Sequence, residues 1–115
     1  MVAKKKVPYV PDRGDIVWLD FDPVRGHEQQ GYRPAYVVSP SSYNEKRRMA
    51  LVCPITSKIK GFSFEVSLSA EVKGVILVDH VRAIDWVDRK VKYVEKIEES
   101  VRQEVATKLL ALIGG

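Results

Sequence analysis

The sequence has a single cysteine, two histidines and no apolar run approaching the roughly 20 residues that cross a bilayer. Each scarcity removes a class of protein. Cys53 has no second cysteine for an internal disulfide, and two histidines beside one cysteine do not make the Cys/His cluster that holds structural zinc. The charged start, residues 1–6, has no apolar stretch behind it and does not read as a signal peptide. A cytoplasmic location is therefore expected, with no membrane partner, no metal and no cofactor. Internal repeats and low-complexity tracts are absent too. At 115 residues there is room for one domain, 1–115, preceded within it by a basic lead over residues 1–11.

What is present is an ordinary globular balance, 45% apolar and 30% charged residues, enough to offset the ordering entropy of folding. Lys and Arg number 19 against 15 Asp and Glu, and the excess is local: residues 46–60 hold Lys46, Arg47, Arg48, Lys58 and Lys60 and no acid. Read linearly this is one basic patch, which attracts polyanions with a salt-dependent affinity.

Residues 15–21 (DIVWLDF) are short, aromatic and β-branched, and Asp22-Pro23 ends them, so they read as a strand. Residues 22–33 contain Gly26 and Gly31 and form a connection of about 12 residues, long for a tight hairpin and so expected to be functional. Strands are further expected over 34–39, 49–55, 64–69, 74–78 and 80–86, with a turn or single helical turn over 40–48 and a strand or loop over 87–94. In residues 64–69 Phe64, Val66 and Leu68 alternate with Glu65, Ser67 and Ser69, which predicts one wet face. Ser100 and Gln103 have capping-box spacing, and Val101, Val105, Leu109 and Leu112 recur at helical spacing. The expectation is a mainly β protein with a C-terminal α-helix, a small SH3-like barrel with the helix covering an opening.

Several residues invite a chemical reading. Asp20 and Asp22 flank Phe21, and alternate strand residues share a face, so two carboxylates there can hold Mg²⁺ as in a metal nuclease; a turn opener and a paired acid account for them as well. His27 and His80 are the two imidazoles available for metal-free base and acid work on RNA. Trp18, Trp86, Phe62 and Phe64 offer stacking faces, with core packing the expected role of both tryptophans. Phe21, at a strand end before the long connection, can face a cleft. Cys53 lies inside a strand and is expected to be a buried apolar residue.

Three ordered blocks carry a resemblance: residues 12–23 (DRGDIVWLDFDP), residues 26–39 (GHEQQGYRPAYVVS) with residues 52–57 (VCPITS), and residues 74–82 (GVILVDHVR) with the helix ending Leu112-Ile113-Gly114. Over residues 11–114 the chain strongly resembles the MazF/PemK family of toxin endoribonucleases. The resemblance implies a barrel of the MazF/CcdB type and a homodimer that cleaves single-stranded RNA or mRNA at a short sequence without metal. It also implies products ending in a 2′,3′-cyclic phosphate and a 5′-OH, and inhibition by a cognate MazE-type antitoxin. The arginine that closes the family's G-x-x-x-x-G-x-R-P loop and the threonine after its third strand are the catalytic pair, here Arg33 and Thr56. Phe21, Glu28, Gln30, Ser57, Lys58, Lys60, Asp79 and Arg82 are the expected RNA contacts. Tyr32 stands where some members have histidine.

Arg33 suits charge stabilisation, since a guanidinium fork makes two parallel bonds to a phosphate and can protonate the leaving 5′ oxygen. Acting as a base first would require a neutral guanidinium, which for an arginine costs about 7 kcal/mol at pH 7, so the base is left open. The Thr56 hydroxyl can donate to a phosphoryl oxygen or serve in a strand-end turn. An acidic, disordered antitoxin tail is expected to land on the basic patch and displace the connection 22–33, competing with RNA. The main rival reading is a non-enzymatic SH3-like barrel, either a binding module or a CcdB-like gyrase poison. The latter predicts an aromatic C-terminal anchor, whereas this chain ends Leu112-Ile113-Gly114-Gly115.

Overall fold

The computed structural model describes residues 9–21 and 32–114. Among these the elements run β1 (Asp15–Asp20), β2 (Tyr32–Val37), α1 (Ser41–Arg47), β3 (Ala50–Thr56), β4 (Glu65–Ser69), β5 (Lys73–Leu77), a 3-10 turn (Val78–His80), β6 (Arg82–Ile84), β7 (Lys92–Lys96) and α2 (Glu99–Ile113). The strands join antiparallel in the order β4-β5-β3-β2-β1-β7, with β6 also on β3. Strand β3 forks. Its first half, residues 50–52, pairs with β6, while Ile55 and Thr56 pair with β5. Two partners diverging along one edge bend the sheet into a half-barrel, the mainly β class with a C-terminal helix that the sequence pattern predicts.

A bent sheet has two faces to cover, and each has its own core. On one face Ile16, Tyr36, Cys53, Ile55, Val66 and Ile76 are buried with Val105 of α2, and Val101 and Leu109 of the same helix pack against them. On the other face Val17, Leu19, Ala35, Val37, Val52 and Ile84 form a second cluster, flanked by Tyr9, Phe21, Trp86 and Val91. Burial on both faces explains why β1 reads as a nearly unbroken apolar run, helped by a bulge between Ile16 and Val17. Only the first face is roofed by α2. The second is closed by Tyr9, Phe21, Trp86 and Val91.

Tyr9 and Asp12 are held by Asp15, which is 2% exposed and accepts hydrogen bonds from the Tyr9 hydroxyl and the Asp12 N–H, while Lys96 pairs with it at 3.0 Å. Burial pushes the Tyr9 phenol up, and its bond to Asp15 adds to that. At Gly14 the chain takes φ +92°, with the glycine N–H on Val37 O and its carbonyl on Ile97 N–H. That angle, which residues with a side chain rarely adopt, favours glycine here, and the Arg102 side chain packs close over it.

Three expectations are corrected. Helix α2 begins at Glu99 with Glu98 as its N-cap and no side-chain cap bond, so Ser100 lies inside the first turn, and Gln103 Nε2 donates to Glu99 Oε2 instead. Leu112 is 52% exposed rather than on the packed stripe. Trp18, expected in the core, is half-buried and stacks on Tyr32 with centroids 5.6 Å apart, whereas Trp86 packs against the second cluster as expected and donates Nε1–H to Asn44 O. Among the described residues no helix is long and apolar enough to cross a membrane.

Candidate active site and nucleic-acid interface

The register places the expected catalytic pair. Leu19 is opposite Arg33 across β1 and β2, and Ala35 is opposite Pro54 across β2 and β3. Cross-strand partners share a face, and so do residues two apart on one strand. Arg33, two before Ala35, and Thr56, two after Pro54, therefore stand on the second face, at the same end of the β2–β3 ladder. Arg82 is opposite Val52 and so shares that face. Its guanidinium carbon lies 5.3 Å from the centroid of the Phe21 ring, which packs on the apolar floor. Arg33 and Arg82 are exposed, whereas Thr56 and Phe21 are half-buried. Two guanidinium groups and a hydroxyl thus stand on the side of the sheet that holds the second cluster, with the half-buried Phe21 ring among them, an arrangement that can hold a phosphodiester by its oxygens beside an aromatic ring.

Thr56 also opens onto a cleft of about 240 Å³ whose other walls are Lys58, Lys60, Phe62, Phe64, Glu65, Leu77 and His80. Thr56 Oγ1 accepts the Lys58 N–H at 3.1 Å, so the strand-end turn forms. That bond uses a lone pair and orients the hydroxyl, whose proton remains a donor. Ser57, Lys58 and Lys60 are exposed along the connection 57–64. Asp79 and His80 sit in the 3-10 turn with Nε2 and Oδ1 at 3.8 Å.

The basic patch is divided. Lys46 and Arg47 end α1 and Arg48 caps it in the left-handed region, all before β3, whereas Lys58 and Lys60 follow it. A seven-residue strand at about 3.3 Å per residue separates the two groups by roughly 20 Å. Residues near in sequence are parted because the strand between them is extended. Glu28 and Gln30 lie outside the described residues, as do His27, Asp22 and the connection expected to meet an antitoxin tail. Cys53 is buried beneath the first face, where burial first and the charge of Asp79 second push its thiol up to about 12, as suits an inert core residue.

One feature escaped the sequence reading. Glu65, expected on the wet face, is 8% exposed, because the connection 57–64 folds back over it and its carboxylate accepts the N–H groups of Lys60 and Gly61. Phe62 and Phe64, read from the sequence as stacking faces, stack on each other in the cleft. Period-two alternation reports on strand faces only, and it carries no signal for a loop that covers one of them.

Comparison with known proteins shows the family and the fold. The family of PemK-like, MazF-like toxins of type II toxin-antitoxin systems matches residues 12–113. The endoribonuclease toxin MazF of Escherichia coli (strain K12) is 45% identical over 107 residues, 92% of this chain and 96% of that protein. The endoribonuclease PemK of Escherichia coli is 33% identical over 108 residues, 89% of this chain and 81% of its own length. A crystal structure of MazF from Deinococcus radiodurans superposes with TM-score 0.83 at 46% identity, covering 94% of this chain and all of that one. A MazE-MazF structure from the same organism gives TM-score 0.84 at 44% identity, covering 92% of this chain and 98% of that one.

Proposed function

The chain belongs to the PemK-like, MazF-like toxin family of type II toxin-antitoxin systems and is an RNA-cleaving enzyme; on that premise we propose that it cuts single-stranded mRNA at a short sequence in the cytoplasm, without metal. The reaction is attack of a 2′-OH on the adjacent phosphorus. The P–O5′ bond breaks as the P–O2′ bond forms, the 2′ proton goes to a base and the 5′ oxygen gains a proton. The products are a 2′,3′-cyclic phosphate and a 5′-OH. Arg33 spans the phosphoryl oxygens, stabilises the charge that develops on them and protonates the leaving oxygen. Thr56 donates its hydroxyl proton to the same phosphoryl group. Lys58 and Lys60 hold flanking phosphates, and Ser57, Phe21, Asp79 and Arg82, with Glu28 and Gln30 from the long connection, contact the bases and backbone.

The observation that carries this reading is that Arg33 and Thr56 share one face at one end of the β2–β3 ladder. Residues 1–115 act as one domain whose working form is a homodimer. A cognate MazE-type antitoxin restrains it, as complexes of MazF relatives with MazE support. Incubation of the purified protein with a long RNA in EDTA, followed by end mapping, tests the proposal. Cleavage at one short sequence with cyclic phosphate ends is the expected result. No cleavage, or 5′-phosphate ends, rejects it.

A further inference from the structure

The proposed reaction needs a group to take the 2′ proton, and Arg33 and Thr56 supply none. The register shows where one stands. Thr56 is opposite Val75, and Leu77, two residues on, is opposite Glu65, so Thr56, Leu77 and Glu65 share one side of the sheet. Arg33 is on the same side as Thr56, so the cleft that these residues line opens beside the proposed catalytic pair. At about 240 Å³ it is small enough for groups on opposite walls to touch one nucleotide. Among the described residues that line it, the side chains able to accept a proton at neutral pH are Glu65 and His80. Glu65 is already committed: it is 8% exposed, and its two carboxylate oxygens accept the N–H groups of Lys60 at 3.2 Å and Gly61 at 2.9 Å. His80 is left.

His80 closes the 3-10 turn after β5, two residues before Arg82, and the turn is anchored by the buried Val78, whose N–H bonds Phe64 O. The imidazole is 57% exposed, so a substrate can reach it. Its Nε2 stands 3.8 Å from Asp79 Oδ1, too long for a hydrogen bond but near enough for the carboxylate to stabilise an imidazolium. With Nε2 on that side, Nδ1 is the nitrogen that carries the lone pair. The other charged groups around the cleft are Lys58 and Lys60 on the connection 57–64, Glu65 on β4 and Arg82 on β6, while Lys108 of α2 is held by Glu65 O and Glu104. We propose that His80 is the general base of the cleavage reaction, with Asp79 stabilising the charge that the ring gains. As O2′ bonds to phosphorus the 2′ proton passes to His80 Nδ1, and as the P–O5′ bond breaks its electron pair takes the proton of Arg33. Between turnovers the imidazolium gives its proton to water and Arg33 regains one, so no further reactant is needed. An imidazole suits this task better than a guanidinium, because neutral arginine is scarce at pH 7 whereas histidines ordinarily titrate between about pH 5 and 8. The inference deepens the endoribonuclease reading and rests on it.

The test uses the full-length protein and an oligonucleotide carrying the site mapped on long RNA. His80→Gln should lower kcat by about 10²- to 10⁴-fold, the range that a positioned base covers, while the same oligonucleotide blocked by a 2′-O-methyl group at the cut binds as tightly as before. In the wild type kcat/KM should rise with pH across the range where imidazoles titrate, and His80→Gln should lack that limb. Free imidazole should restore part of the rate to His80→Ala. A substrate with a 5′-thiolate leaving group separates base from acid, because such a group departs without a proton. On it His80→Gln should keep its full loss, whereas Arg33→Ala should recover part of its own. If the wild type cuts RNA but His80→Gln keeps its rate and its acid limb, loses binding alone, or recovers on the thiolate substrate, His80 is not the base and the enzyme reading stands. If the wild type does not cut RNA, both fall.

Discussion

Gly74 lies against the carbonyl of Thr56: a Cβ at position 74 would stand 2.3 Å from that oxygen and 3.0 Å from its carbon, with the glycine at φ +137°. This close approach sits where β3 leaves β6 and takes β5 as its partner, one residue from the Thr56–Val75 pair. The end of β3 that carries Thr56 is therefore packed closely against a residue with no side chain.

Gly74→Ala is expected to lower stability by about 1–3 kcal/mol, because both the backbone angle and the close approach resist a methyl group. It should lower cleavage as well, since the carbonyl that must move belongs to Thr56. Denaturant unfolding and initial rates measure the two effects. An alanine variant with wild-type stability and rate would show that the fork tolerates displacement.

Arg33→Ala and Thr56→Ala should each cut the rate by about 10²- to 10³-fold, the effect of losing one charge-stabilising donor, roughly 3–4 kcal/mol of barrier. Arg33 is exposed and Thr56 half-buried at a strand end, so thermal midpoints should shift by only a few degrees. A variant that cleaves at near-native rate removes its residue from the mechanism.

Lys58→Glu with Lys60→Glu should weaken RNA binding and flatten its salt dependence, by about 0.7 in the log–log slope for each phosphate of a single strand that is no longer neutralised. Reversing Lys46, Arg47 and Arg48 should change the slope less, because β3 holds them at the far end of the strand from Thr56. Equal effects from the two sets would mean that the RNA runs the length of β3.

Asp12 and Lys96 give the docked lead a pH dependence. Burial pushes the Asp12 carboxyl up, but hydrogen bonds from the Ser41 N–H and Lys96 outweigh it and hold the group below its ordinary range. A depressed carboxylate stabilises the fold above its unfolded value, near pH 4, and that contribution is lost as pH falls through the lower folded value. Asp12→Asn should therefore be less stable than wild type at pH 7, with the gap closing below about pH 4. A gap independent of pH would assign the loss to packing instead of charge.

Much of this protein follows from local pattern alone. The strands, the C-terminal helix and the buried Cys53 are legible because strand and helix periods and turn residues are properties of neighbouring residues, whereas Arg33 and Thr56 are singled out by the family resemblance of their motifs. Register could not be read that way. That Arg33 and Thr56 share one face, that Arg82 lies over Phe21, and that the basic residues at 46–48 stand a strand's length from Lys58 and Lys60 are consequences of pairing between segments far apart in the chain. The same holds for Glu65, which alternation places on the wet face and which the connection 57–64 then covers. Sequence determined which elements form and which chemistry they carry. Tertiary structure decided which side chains meet, because the bend at β3 and the close approach of Gly74 are set by contacts that no local window contains.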